Sequence, residues 1–292
     1  MIDPHMHMWS LVGDHYPVLR PNRGAPKLDK IRVDYLVEDY LNDAQGQGIA
    51  GTVHVEALSD SPLWETEWLN SLDKSSGVAN RYVAGAPFGS DETAGILERQ
   101  AECDRVVAVR QVIAWHPART KSPNPAPGLA LEPTWRDGAA QAARLGLSLE
   151  LVMFPWQAED VVDLAMTMPE LQLIVNHCAS PIERSSADLA EWRKNIEAMA
   201  TCPNVTVKIA GLGHYDPAPS VESFRMIIDP VAQSFGPHRA MFASDYPPEG
   251  MHMEFAHIYR LFREVAASYG PQEQRSMFFD TARTLYRMDV PS

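Results

Sequence analysis

Three cysteines in 292 residues (Cys103, Cys178 and Cys202) are too few and too scattered for a disulfide framework or a thiolate metal site. Their scarcity suits a reducing compartment, so the expectation is a cytoplasmic protein. Long apolar runs are missing too. No stretch approaches the ~18 residues of a membrane-spanning helix, and no charged segment followed by an apolar run opens the chain. Neither a span nor a signal peptide is expected. Positive charge is the third shortage: 25 Lys and Arg stand against 38 Asp and Glu, a net charge of −13. That balance argues against nucleic acid or an anionic membrane surface as partner. It leaves room for an anionic small molecule, because a pocket sets its own local potential. Homo-oligomerisation is compatible with this composition but not specified by it.

With 45% hydrophobic residues the chain can bury a large core. Its apolar runs fall into a repeating order. A strand of a few residues ends at His7, and others are expected over Gly51–Ala57, Tyr82–Phe88, Val106–Ile113, Leu147–Phe154, Leu171–His177, Val205–Ala210 and Ala240–Asp245. Helical spacing of apolar residues separates them: Val33–Gln47, Leu63–Leu72, Glu92–Cys103, Trp135–Leu145, Ala158–Met168, Leu189–Ala200 and Val221–Phe235. Two more helices, Glu254–Ser268 and Gln272–Tyr286, close the sequence. The strands are mostly apolar, as parallel strands covered on both faces should be. Eight strands each followed by a helix predict an α/β fold, a distorted (β/α)8 barrel with an extra C-terminal helix. No shift in composition divides the chain, so residues 1–292 are expected to form one domain. A Gly46-Gln47-Gly48-Ile49-Ala50-Gly51 match to the dinucleotide fingerprint follows a helix and precedes a strand. That is the reverse of the functional order, and it is discarded.

In such a barrel the loops after the strands build the active face. Connectors are long there, notably Met8–Ile31 and the proline-rich Ala114–Pro133. His5 and His7 sit two apart, so an extended backbone turns both imidazoles to one face. His177 and Asp245 stand at the ends of two further strands. Singly each has a plain explanation: a surface histidine pair, a hydrogen-bonded loop histidine, a turn-capping aspartate before Tyr246-Pro247. Together they place three imidazoles and a carboxylate at one mouth. Such donors suit zinc or a similar divalent ion. The same set also works without metal, the imidazoles meeting an oxyanion and Asp245 acting as general base. His54 and Glu56 alternate onto a common face of the second strand, and Arg110 ends the fourth.

These motifs resemble the amidohydrolase superfamily, in its lactonase-rich "amidohydrolase family 2" branch. The resemblance is carried by Asp3-Pro4-His5-Met6-His7-Met8-Trp9, Val53-His54-Val55-Glu56-Ala57, Val175-Asn176-His177-Cys178-Ala179-Ser180-Pro181, Asn204 to Leu212 and Ala243-Ser244-Asp245-Tyr246-Pro247. It spans nearly the whole chain in family order. The resemblance implies a metal-dependent hydrolase in which His5, His7, His177 and Asp245 bind metal or activate a carbonyl, and Asp245 activates water. Binuclear members carry a bridging Lys or Glu on strand 4 and a His on strand 5. Here Arg110 and the run Leu149 to Phe154 stand instead, so the expectation is one divalent metal, zinc first, or none.

The expected activity is opening of a lactone, either a sugar-acid lactone or a carboxylated one from aromatic breakdown. The substrate would be a small anionic or polyhydroxylated molecule. A metal-dependent decarboxylase on the same scaffold and a non-catalytic small-molecule-binding barrel are the rival readings. Arg110 is expected to hold a polar substituent of the substrate, with a salt bridge to a loop acid as its alternative role. Glu56, Lys208, Trp115, His116, Arg184, His214 and Tyr215 are further candidate contacts, Lys208 being expected to pair with Asp245 or Glu56.

Overall fold

The computed structural model describes residues 1–21 and 26–291, so part of the long connector (residues 22–25) and Ser292 lie outside the described residues. Eight strands form one parallel sheet in sequence order. They are β1 (Ile2–Met6), β2 (Gly51–Val55), β3 (Arg81–Gly85), β4 (Val106–Val112), β5 (Ser148–Val152), β6 (Leu173–Val175), β7 (Val205–Ile209) and β8 (Ala240–Phe242). The sheet closes where the Asp245 N–H donates to the His5 carbonyl and the His7 N–H to the Tyr246 carbonyl, each at 2.8 Å. The barrel seam is therefore stitched by the residues on either side of the candidate site.

Helices α1 (Val37–Asp43), α2 (Pro62–Ser71), α3 (Thr93–Ala101), α4 (Pro133–Arg144), α5 (Ala158–Thr167), α6 (Ser186–Ala200), α7 (Val221–Phe235) and α8 (Phe255–Ala266) follow the strands in turn. Among the described residues no helix is long and apolar enough to cross a membrane. The first helix is shorter than its periodicity predicts. Tyr35, two residues before it, exchanges both backbone hydrogen bonds with Trp9 at 3.0 Å, which holds this stretch extended. The expected helix Gln272–Tyr286 is interrupted: α9 (Pro271–Arg275) passes through a wider π turn, Ser276–Asp280, into α10 (Thr281–Leu285).

Two apolar layers result. The larger lies between strands and helices. The smaller fills the barrel, where Ile2, Val53, Val83, Ile174 and Met241 meet Phe279, Ala282 and Tyr286 of the C-terminal segment. That segment plugs the end of the barrel opposite the active face, at the N-terminal ends of the strands.

Candidate functional site

A bulge in β1 sets up the site. Between Asp3 and Met6 the strand advances three residues while β2 advances two, from Thr52 to His54. The extra residue reverses the alternation of side chains. Ile2 thus packs inside the barrel and Asp3 turns outward, to Tyr40 Oη at 2.8 Å and the Ser244 hydroxyl at 2.6 Å. His5 and His7 then point into the mouth, with ring centroids 5.0 Å apart.

His177 and Asp245 lie two and three residues beyond the last residues of β6 and β8, not at the strand ends the sequence predicts. Both adopt left-handed backbone, with φ of 53° and 56°. For non-glycine residues that conformation costs on the order of 1 kcal/mol or more, and it bends the chain so the side chain faces the barrel axis. Gly211, after β7, has φ +64°, and a Cβ there would stand 2.8 Å from His177 Nδ1 and 3.1 Å from Asp245 Oδ2. A side chain at 211 would occupy the space between them.

Asp245 is the centre of the arrangement. Its Oδ1 is 3.4 Å from His5 Nε2 and 3.5 Å from His7 Nε2; its Oδ2 is 2.8 Å from His214 Nε2 and 3.9 Å from His177 Nδ1. Burial alone would push its carboxyl up, but the surrounding imidazoles outweigh that and hold it well below the usual carboxylate range. It is ionised at neutral pH. His5 and His177 go the other way: desolvation lowers both, His177 to about 4, so they remain neutral donors of a lone pair. His7 Nδ1 lies 2.7 Å from the Val55 carbonyl, which can only accept. Nδ1 therefore carries a proton, and the ring is oriented with Nε2 toward the site.

His5 Nε2 and His177 Nδ1 are buried and have no hydrogen-bond partner among the described residues. One ring nitrogen each of His5 and His177 and an Asp245 oxygen lie within 4.8 Å of one another, with His5 Nε2 at 3.4 Å and His177 Nδ1 at 3.9 Å from the carboxylate. Zinc bonds of ~2.0–2.1 Å put tetrahedral ligand atoms roughly 3.4 Å apart, close to the 3.4 and 3.9 Å of the two histidines from Asp245, so this donor set suits one divalent cation, with His7 Nε2 next to it. The strand-5 position that carries a histidine in binuclear sites holds apolar residues and Glu150, as the sequence indicates.

Behind the site runs a polar network that the sequence reading did not find. Lys208 Nζ pairs with Glu150 at 2.7 Å, rather than with Asp245 or Glu56, and approaches His5 Nδ1 at 3.3 Å. Tyr286 Oη donates to Glu150 at 2.6 Å and Asn176 Nδ2 donates at 2.8 Å. Lys208 and Glu150 are both fully buried. Desolvation, only partly offset by Glu150, lowers the lysine to about 8. The single signal for this network was an acid and a lysine inside otherwise apolar strands. Glu249 was also missed: its Oε1 accepts the Gly213 N–H at 2.6 Å and its Oε2 lies 3.5 Å from His214. Burial raises Glu249 to about 7. Burial likewise disfavours charged His214, yet the hydrogen bond and charge of Asp245 prevail and raise it.

The other expected contacts divide. His7, Arg110, His177, His214, Tyr215 and Asp245 all line one cavity of about 470 Å³ at the mouth. Arg110 is bound to Glu56: its Nε donates to Oε1 at 2.6 Å and its Nη2 to the backbone carbonyl at 2.5 Å. The salt bridge is thus formed, with the first strand-end acid after β2 as its partner. His54 does not share Glu56's surroundings; it faces outward, 3.6 Å from Glu65 of α2. Lys208 does not reach the cavity. Trp115 and His116 line a separate groove with Trp156 and Glu183, and Arg184, 4.0 Å from Asp216, does not line the cavity.

The amidohydrolase family model matches residues 2–288. The chain belongs to the amidohydrolase family. An uncharacterised protein of Sinorhizobium fredii, y4mH, is 31% identical to this amidohydrolase over 99% of its chain and 98% of the relative. An L-fucono-1,5-lactonase of Burkholderia multivorans is 24% identical over 100% and 97%. Among solved structures, an amidohydrolase from Burkholderia multivorans with bound zinc shares the fold, at a TM-score of 0.84 and 20% identity, covering 99% of each chain. The protein is an enzyme of the amidohydrolase superfamily, and its clustered donors suit a divalent metal.

Proposed function

We propose that this amidohydrolase opens a lactone ring with water activated by Asp245. The observation that carries the reading is the environment of Asp245: a carboxylate kept ionised in a buried site, ringed by imidazoles whose lone pairs or protons face one small volume. Asp245 takes a proton from water as the water oxygen adds to the lactone carbonyl carbon. His5, His7 and His177 surround the position of the developing oxyanion. On collapse the ring C–O bond breaks, and the proton on Asp245 passes to the departing ring oxygen, giving a hydroxy acid. His214, hydrogen-bonded to the other carboxylate oxygen, orients the base. A divalent cation held by His5, His177 and Asp245 would add Lewis-acid polarisation of the carbonyl, and the zinc-bound relative favours zinc. Arg110, whose Nη1 takes no part in the Glu56 pair, would meet a carboxylate or hydroxyl of the substrate.

The relative named as an L-fucono-1,5-lactonase supports a lactone as substrate class. A lactone panel assayed for proton release, with metal-free and zinc-loaded protein side by side, tests the reading. Ring opening to the hydroxy acid is expected. Inactivity across the panel, with carbon dioxide released from aromatic carboxylates, would replace it with a decarboxylase.

A further inference from the structure

The cavity above Asp245 has a polar floor and apolar walls. Trp9, Leu19, Leu28, Ile31, Leu58 and Met251, from the loops after β1, β2 and β8, form one side. Among these six described residues, Trp9 alone carries a polar side-chain atom. Trp9 Nε1 donates to the Val33 carbonyl at 2.7 Å, which turns the indole's one polar hydrogen away from the cavity. The loop cation Lys30 does not line the cavity; it is exposed and gives one of its three N–H groups to the Met251 carbonyl at 3.2 Å. On the floor, His7, His177 and His214 all converge on Asp245, where they serve one carbonyl and one water. Arg110 has two of its three nitrogens on Glu56. Among the described side chains that line the cavity, Tyr215 and the remaining Arg110 nitrogen are what is left for anything else.

A polyhydroxylated ring needs a partner for each hydroxyl it withdraws from water, and each one left unpaired costs on the order of tenfold in affinity. An alkyl or aryl group gains by leaving water for the same surface. We infer that the substrate is a lactone with an apolar alkyl or aryl body and at most one polar substituent, not a sugar-acid lactone. This narrows the lactonase reading and rests on it for the word lactone; the apolar half of the site stands on the cavity alone.

Two six-membered lactams that cannot be hydrolysed separate these claims: one carrying a pentyl chain on the ring carbon next to nitrogen, and gluconolactam. Calorimetric binding to the full-length protein should favour the pentyl lactam by about 10-fold or more. Met251→Gln and Leu28→Gln, each close to volume-conserving, should narrow that preference by about 10-fold with circular dichroism unchanged. The corresponding lactones, δ-decalactone and glucono-1,5-lactone, should show the same order in kcat/KM after division by their uncatalysed rates. Gluconolactam binding equally well or better would overturn the inference, as would binding of neither lactam. A pentyl-lactam preference without turnover of either lactone would uphold the apolar site and sink the lactonase reading instead.

Discussion

His214 Nε2 lies 2.8 Å from Asp245 Oδ2 and 3.5 Å from Glu249 Oε2, so one imidazole links two buried carboxylates of the loop after β8. Asp245 and Glu249 differ in kind despite this shared neighbour. Asp245 is held ionised, whereas burial raises Glu249 to about 7. Two carboxylates set apart in this way divide their roles, one as base and one as the group that positions the imidazole.

Glu249→Gln should therefore act through His214. The Glu249 charge is one of the influences raising the imidazole. Its removal should move the alkaline limb of the kcat/KM profile toward lower pH, while Glu249→Asp restores part of the shift. An unchanged profile would reduce Glu249 to packing.

The same acid predicts a pH dependence of stability in metal-free protein. Its folded value of about 7 exceeds the ordinary 4.5, so between them the folded state binds more protons than the unfolded. The contribution is full below 4.5 and is lost as pH rises through 7. At about 1.4 kcal/mol per pH unit, that window amounts to roughly 3 kcal/mol. Urea unfolding of the native protein and of Glu249→Gln across this range should differ in slope; parallel curves would contradict it.

Glu150 and Lys208 form an ion pair sealed in the barrel. Lys208→Met leaves Glu150 buried with only Tyr286 and Asn176 as partners, and should cost about 3–5 kcal/mol. Thermal unfolding measures it; a loss under about 1 kcal/mol would mean that the network is hydrated.

Arg110→Met should be destabilising by a similar amount, since it strands Glu56 under the mouth. In the double variant with Glu56→Gln much of the loss should return, a coupling of about 2 kcal/mol or more. Additive losses would show that the pair contributes little.

Much of the architecture was legible in the sequence because parallel strands covered on both faces read as apolar runs, and amphipathic helices separate them. The meeting of four residues at one mouth was legible too: His5 and His7 by their spacing of two, His177 and Asp245 because each follows an apolar run. Boundaries were less so. The start of α6 at Ser186 rather than Leu189 is marked by a capping box: Ser185 Oγ accepts the Asp188 N–H at 3.2 Å and Asp188 accepts the Ser185 N–H at 3.3 Å. The bulge in β1 left no compositional mark. Neither did the pairing of Lys208 with Glu150, because which inward side chains meet across a barrel depends on strand register. Arg110 met Glu56 rather than standing free because Glu56, one residue past β2, is released from strand alternation.

The central claim is that Asp245 is the base for water. Asp245→Asn keeps the size and hydrogen-bonding reach of the side chain and removes its basicity. On the lactone turned over best by the native protein, kcat should fall by at least about 100-fold, with circular dichroism and cavity-ligand binding retained. A folded Asn variant with kcat near that of the native protein would contradict the account.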